Sequence, residues 1–129
     1  GWVTGIRFYK GTGNTGMHVG SLWTSAGTLL GRVNFTNESA SGWQEADFSS
    51  PIPVTAGNGY VVSYFAPNGG YAYTSAAFAN AGVDSPPLHA PQSSVSNGNG
   101  VYSYSGSSAF PASSYNATNY WVDVVFTGP

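Results

Sequence analysis

The sequence predicts an all-β protein, an antiparallel β-sandwich or jelly roll that forms one domain over residues 1–129. Apolar residues alternate with a period of two along several short segments, which is the pattern of half-buried strands. The chain also contains 18 Gly and 8 Pro, which favour turns. No segment has a helical hydrophobic period of useful length. Many short strands separated by turns are typical of sandwiches and jelly rolls.

The first strand is predicted in GWVTGIRFYK (1–10), where Trp2, Thr4, Ile6 and Phe8 share one face. A hairpin follows, because VGSLWTS (19–25) and TLLGRVNF (28–35) flank an Ala-Gly turn. In its second arm the alternation directs three residues inward, namely Leu29, Val33 and Phe35.

Two further strands complete the first half of the chain. WQEADF (43–48) places Ala46 and Phe48 on one face and Trp43, Glu45 and Asp47 on the other. YVVSYF (60–65) is almost continuously apolar and predicts a buried central strand.

The second half is less regular. GVDSPPLHAPQSS (82–94) predicts a proline-rich loop, because proline cannot donate to a sheet ladder. VSNGNGVYSYSGSSAFPASS (95–114) predicts a short aromatic strand between glycine and serine turns. NYWVDVVF (119–126) predicts a last strand in which Tyr120, Val122, Val124 and Phe126 share a face.

Charge and cysteine content exclude several classes of function. Three Lys+Arg and five Asp+Glu give a net charge of −2, so no basic field exists to hold nucleic acid or an anionic membrane. No run of 18 apolar residues predicts a membrane span. The chain contains no cysteine, which excludes disulfides and thiolate metal sites.

Four blocks carry a resemblance to a known family. TGIRFYKGTGNTGMHVGSLWTSAGTLL, SGWQEADFSSPIPVTAGNGYVVSYFAPNGGY, GVDSPPLHA and FPASSYNATNYWVDVVF together cover nearly the whole chain. They resemble, in order, a bacterial extracellular family catalogued as domain of unknown function 4082. The resemblance implies a secreted, extracellular or cell-surface module, appended to or repeated within proteins that include carbohydrate-active enzymes, and implies no established chemistry.

The same resemblance implies a missing segment, because such domains usually have a further strand before the Thr-Gly-Ile-Arg-Phe block. Only three residues precede that block here. A sandwich that lacks an edge strand exposes unpaired backbone groups, which another copy can satisfy by strand exchange. Trimming of the chain is the alternative explanation.

Catalytic and metal-binding patterns are weak. Glu45 and Asp47 lie about 7 Å apart along one strand face, which overlaps the carboxyl spacing of inverting glycosidases, but solvated surface acids have the same pattern. His18, Asp84 and His89 are suitable metal donors without a metal-binding spacing. We therefore expect a non-enzymatic protein with no catalytic residue, no metal site and no cofactor; calcium stays open as an alternative that no motif indicates.

Two covalent modifications are compatible with the sequence. Lys10 follows the first strand and Asp123 lies on the last, as in proteins with an intramolecular isopeptide bond, although an ordinary exposed lysine explains the same pattern. Asn34, Asn37 and Asn116 begin Asn-x-Ser/Thr sequons, which matter only in a host that glycosylates them.

Aromatic residues make up 16% of the chain and give the strongest functional signal. Sugar rings have apolar C–H faces that stack on aromatic rings, and hydroxyls that bond amide, imidazole or carboxylate groups. The predicted ligand-binding residues combine these groups: Trp43, Asn68, Tyr71, Tyr73, Asp84, His89, Tyr115 and Asn119. Phe78 is assigned to the core, whereas the pattern favours neither burial nor solvent exposure for Tyr71 and Tyr73.

The sequence thus favours a secreted, non-catalytic binding or adhesion module whose partner is a glycan or a cell-surface polysaccharide. The alternative is a structural spacer or fibre subunit that associates with other copies of itself through an open sheet edge. Neither interpretation involves nucleic acid or a membrane.

Overall fold

A computed structural model describes residues 1–96 and 98–129, and the all-β prediction is confirmed. The turn predicted over SNGNG (96–100) includes Asn97, which lies outside the described residues. The strands are β1 (Trp2–Lys10), β2 (Val19–Thr24), β3 (Leu29–Asn34), β4 (Gly42–Pro53), β5 (Tyr60–Phe65), β6 (Val83–Ser85), β7 (Leu88–Ala90), β8 (Val101–Tyr102), β9 (Ser113–Ser114) and β10 (Val122–Thr127). The described residues contain a single α-helical turn, α1 (Ser93–Ser96), and no helix long and apolar enough to cross a membrane.

The chain divides into two compact units. Unit 1 comprises Gly1–Ala72, Ser105–Phe110 and Val122–Pro129, and unit 2 comprises Tyr73–Tyr104 and Pro111–Trp121. The single domain over residues 1–129 stays a prediction.

Unit 1 contains two three-stranded antiparallel sheets, ordered β10-β1-β4 and β3-β2-β5. Its core is the buried cluster of Ile6, Phe8 and Phe35. Half-buried side chains from both sheets pack on this cluster, namely Ala46, Phe48, Val62, Tyr64 and Val122. Two sheets that meet across a shared core are compatible with the predicted sandwich.

A β-bulge in β1 overturns the predicted position of Trp2. The register of β1 against both of its neighbours shifts between Val3 and Gly5. A bulge adds one residue and so reverses which side chains face the core. Val3 is therefore 3% exposed, like Ile6 and Phe8, while Trp2 is 41% exposed.

The predicted hairpin of β2 and β3 is confirmed, with Gly27 at a φ of +92° in its turn. A second register shift, between Leu22 and Trp23, lies opposite Leu29, which is exposed rather than inward. The prediction for β5 was also wrong, because it lies at the end of its sheet and is half-buried throughout, while β2 occupies the centre.

Unit 2 is built from short pairings. The predicted proline-rich loop forms a small hairpin, in which β6 pairs with β7 across a turn containing the cis Pro86–Pro87 peptide bond. β8 pairs with β9, and an isolated bridge joins Thr74 to Asn119. Phe78 is buried as predicted, and its backbone bonds Ala117 and Ser93.

Candidate functional site

An exposed ring pair lies on the solvent side of the β10-β1-β4 sheet. Phe8 is buried, so the alternation of β1 directs the next residue, Tyr9, outward. Tyr9 is paired in register with Trp43 of β4, and the two rings meet edge to face with centroids 5.6 Å apart. Both rings remain accessible, Tyr9 at 41% and Trp43 at 43% exposure. The prediction that Trp43 faces outward is correct.

Arg7 completes this aromatic group from the same strand as Tyr9. It pairs with Glu45 in register, so Trp43 is its diagonal neighbour across the two strands. The guanidinium carbon lies 4.2 Å from the centroid of the Trp43 ring, which is cation–π distance. Its Nε lies 4.0 Å from Oδ2 of Asp123 and has no hydrogen-bond partner among the described residues.

Carboxylates border the aromatic group on both sides. Glu45 and Asp47 are exposed on β4, on the face predicted for them. Asp123 of β10 pairs with Arg7 in register. Burial raises the pKa of Asp123, and the charge of Arg7 offsets this only in part.

These side chains define one surface, called here the outer face: Arg7, Tyr9, Trp43, Glu45, Asp47 and Asp123. It combines exposed ring edges and faces with a planar donor and several acceptors. Apolar C–H groups of a ligand can pack on the rings while its hydroxyls bond the guanidinium and the carboxylates.

A buried polar network lies inside unit 1. His18 is fully buried and bonds two acceptors, Glu38 Oε1 at 2.7 Å through Nδ1 and Asn14 Oδ1 at 2.7 Å through Nε2. Lys10 Nζ approaches the same Glu38 oxygen at 3.2 Å, and Asn14 Nδ2 donates to the Tyr64 hydroxyl at 3.3 Å. Lys10 is 9% exposed, so the expected exposed lysine was wrong.

Electrostatics within this network favour an ionised Glu38. Burial raises the pKa of Glu38, but hydrogen bonds and charge from His18 and Lys10 outweigh it and hold the pKa below its ordinary value. Burial also raises the pKa of Tyr64 to about 12. The hydrogen bond from Asn14 lowers this pKa, and the charge of Tyr71 raises it slightly. The network ties the segments around residues 10–18 and 38 together, and its burial keeps a substrate away.

Two further predicted ligand residues, Asn68 and Tyr71, lie in unit 1, and Asn68 joins two loops. Asn68 is exposed, and its Nδ2 donates to Thr15 Oγ1 at 3.2 Å, which joins the turn after β5 to the loop after β1. Tyr71 is half-buried.

The remaining predicted residues belong to unit 2. Tyr73 is 62% exposed and Tyr115 is 70% exposed. Asp84 and His89 face each other across β6 and β7, with Oδ1 2.8 Å from Nδ1. Asn119 bonds the backbone of Thr74 in both directions at 2.9 Å.

The predicted set is thus divided between the units. Trp43, Asn68 and Tyr71 lie in unit 1, and the other five residues lie in unit 2. Tyr73, rather than Tyr71, is the more exposed of the tyrosine pair. No group of three or more His, Asp or Glu side chains that could hold a metal ion occurs in the described part of the chain.

The predicted ligand-binding residues include Trp43 of the outer face but not its other five members, of which Arg7 and Tyr9 had no predicted role at all. The signal for both was present, because they alternate with the buried Ile6 and Phe8 in β1. Their proximity to Trp43 required the register between β1 and β4, which is not visible in one strand alone.

The sheets and the outer face define the class of this chain: an antiparallel all-β module that presents aromatic side chains on a sheet surface. The family model described as Domain of unknown function (DUF4082) matches residues 1–122, and the chain belongs to that family. No curated protein matches the chain, and no solved structure matches it.

Proposed function

We propose that the chain is a secreted, non-catalytic module that binds carbohydrate through the outer face. The observation that supports this most strongly is the exposed Tyr9–Trp43 pair with the Arg7 guanidinium 4.2 Å from the Trp43 ring centroid. A ring pair at the surface of a sheet contributes little to the core and is available to a ligand.

The chemistry of the outer face suits a sugar. The rings accept the C–H faces of pyranoses, and Arg7, Glu45 and Asp123 supply the donors and acceptors that hydroxyl groups need. Both charge signs are present, so the surface favours a polyhydroxylated ligand over a highly charged polyanion.

Burial favours binding over catalysis. His18 and Glu38 form a histidine–carboxylate contact like that beside many general bases, yet Nε2 of His18 is already bonded to Asn14 Oδ1 and His18 has no exposed surface. A general base must come within hydrogen-bond reach of the substrate proton, so this pair is better explained as a structural network.

The test is glycan binding by Trp43→Ala and Tyr9→Ala, measured with a glycan array and titrations of its hits. Aromatic side chains in a desolvated contact commonly carry more than about 1 kcal/mol of binding, so we expect weaker binding with nearly unchanged melting temperatures. Trp2→Ala is the matched control, since Trp2 is a similarly exposed tryptophan at the opposite end of β1. Binding unaffected by either substitution, or no glycan bound by the native chain, would contradict the proposal.

The competing function is self-assembly through a sheet edge. β10 lies at the end of the β10-β1-β4 order, so among the described residues it has a strand partner on one side. Light scattering on a dilution series distinguishes the two functions: a concentration-dependent oligomer without glycan binding favours the structural module, and a monomer that binds glycan contradicts it.

A further inference from the structure

Strained backbone is concentrated in two segments of unit 2. Trp121 has a φ of +54°, and Asn116 and Ala117 have φ values of +54° and +46°. Ala76, on the segment paired with them, has a φ of +59°. A left-handed conformation is uncommon for residues other than glycine and is a genuine outlier for a bulky one. Such outliers persist where surrounding contacts hold them, and they are concentrated at ligand-binding sites.

Hydrogen bonds hold Trp121 in this conformation. Thr74 and Asn119 bond each other through both backbone groups at 2.9 Å. Oδ1 of Asn119 then accepts from the Trp121 backbone N–H at 2.7 Å, and the Trp121 indole Nε1 donates to Thr74 Oγ1 at 3.0 Å. Both the backbone and the ring of Trp121 are therefore fixed by two neighbouring residues.

The fixed indole remains accessible. Trp121 is 36% exposed although it directly precedes β10, and its Nε1 donor is already used. Because the indole N–H already has an acceptor, a ligand would contact the π face of the ring. This face is the part of the indole that stacks on a sugar. An ordered ring also loses less conformational entropy when a ligand binds.

The surroundings favour an uncharged ligand. Residues 73–79 and 115–121 contain no charged side chain and are rich in Ser, Thr, Asn and Ala. They also include Tyr73 and Tyr115, which are 62% and 70% exposed. This composition does not attract phosphate or other anions, whereas it matches the apolar faces and hydroxyls of a neutral sugar.

We infer that Trp121 is a second carbohydrate-stacking platform of this chain, on unit 2, oriented by Thr74 and Asn119 and selective for neutral glycans. The inference takes the class of ligand, carbohydrate, from the proposed function. The contacts that orient Trp121 do not involve the outer face. Trp121 acts by contact with the ligand, and Thr74 is a positioning residue.

The experiment follows the indole N–H resonances of the four tryptophans in the ¹⁵N-labelled chain, assigned through single substitutions. The ligands are cellohexaose, xylohexaose, mannohexaose and chitohexaose. We expect at least one hexasaccharide to shift the Trp121 resonance in a saturable way, and Trp121→Ala to weaken that binding at least tenfold. Thr74→Val should weaken hexasaccharide binding and speed solvent exchange of the Trp121 indole proton. Thr74→Ser keeps the hydroxyl acceptor and should bind and exchange like the native chain.

The outcomes separate the two proposals. A shift of the Trp43 resonance alone leaves the proposed function in place and overturns the second platform. A shift of Trp121 alone supports the platform and moves the carbohydrate site away from the outer face. No saturable shift in any tryptophan overturns both. These titrations use the native chain, so they remain decisive even where Trp121→Ala fails to fold.

Discussion

The guanidinium carbon of Arg7 lies 4.2 Å from the centroid of the Trp43 ring, on the solvent side of two paired strands. Arg7 also pairs in register with Asp123 on the opposite side. The contact therefore connects the ring group of the outer face to the carboxylate of β10. The contacts of Arg7 and the buried network around His18 each have consequences for stability and for titration that can be measured.

Arg7→Ala should raise the pKa of Asp123 further, because Arg7 is the charge that offsets the effect of burial there. Loss of the contact with Trp43 should cost about 0.5–1 kcal/mol of stability, as for exposed cation–π pairs. Carboxyl NMR titration and denaturant melts measure the two effects. Arg32→Ala is the control for the Asp123 titration, since Arg32 lies on β3 in the other sheet and donates to Ser21 Oγ. An unchanged Asp123 titration in Arg7→Ala would contradict this electrostatic interpretation.

Phe8→Ala should destabilise unit 1 by roughly 3–5 kcal/mol, because removal of a fully buried ring leaves a cavity. Phe8 contacts three rings, namely His18, Phe35 and Tyr64. Tyr9→Ala, one residue along the same strand, should cost less than about 1 kcal/mol because Tyr9 faces solvent. Chemical denaturation of both variants checks the register, and similar losses would show that it is wrong.

Acid should destabilise the chain through Glu38. Its folded-state pKa lies below the ordinary value, so the stabilisation is present above that ordinary value and is lost as the pH falls through the folded-state pKa. Thermal melts between pH 7 and pH 2 measure the loss. Glu38→Gln should be less stable at neutral pH and show a flatter acid response. Glu45→Gln is the control, because it removes an exposed carboxylate from the outer face. This variant should lose stability in acid as the native chain does.

Alkali should destabilise the chain through Tyr64, whose folded-state pKa is about 12. Between pH 10 and pH 12 the unfolded chain releases this proton while the folded chain keeps it, so stability falls as pH rises. One pKa unit corresponds to about 1.4 kcal/mol, which makes the maximum loss roughly 3 kcal/mol. Tyr64→Phe should remove the late step in a titration followed by tyrosinate absorbance. Persistence of that step in Tyr64→Phe would assign it to another tyrosine.

The sequence by itself determined the all-β class, the β2–β3 hairpin and the two faces of β4. Each follows from local information, since strand alternation and glycine at a turn need no distant partner. Outward Trp43 was predictable for the same reason, and buried Phe78 from the general tendency of phenylalanine to be buried. The Asp84–His89 contact was also within reach, because only four residues, which include Pro86 and Pro87, separate the pair.

Only the tertiary structure decided the features that depend on register and on pairing between distant segments. A bulge in β1 reversed Trp2 and Val3, and pairing with β4 brought Tyr9 to Trp43. His18, Glu38 and Lys10 form one buried network although up to 28 positions separate them. Trp121 interrupts the alternation predicted for the last strand, since its backbone is held left-handed by Asn119 and its ring by Thr74, 47 residues away. The physical reason is common to all of these: alternation sets the two faces of a strand, whereas contacts made across the fold set its partners and its register.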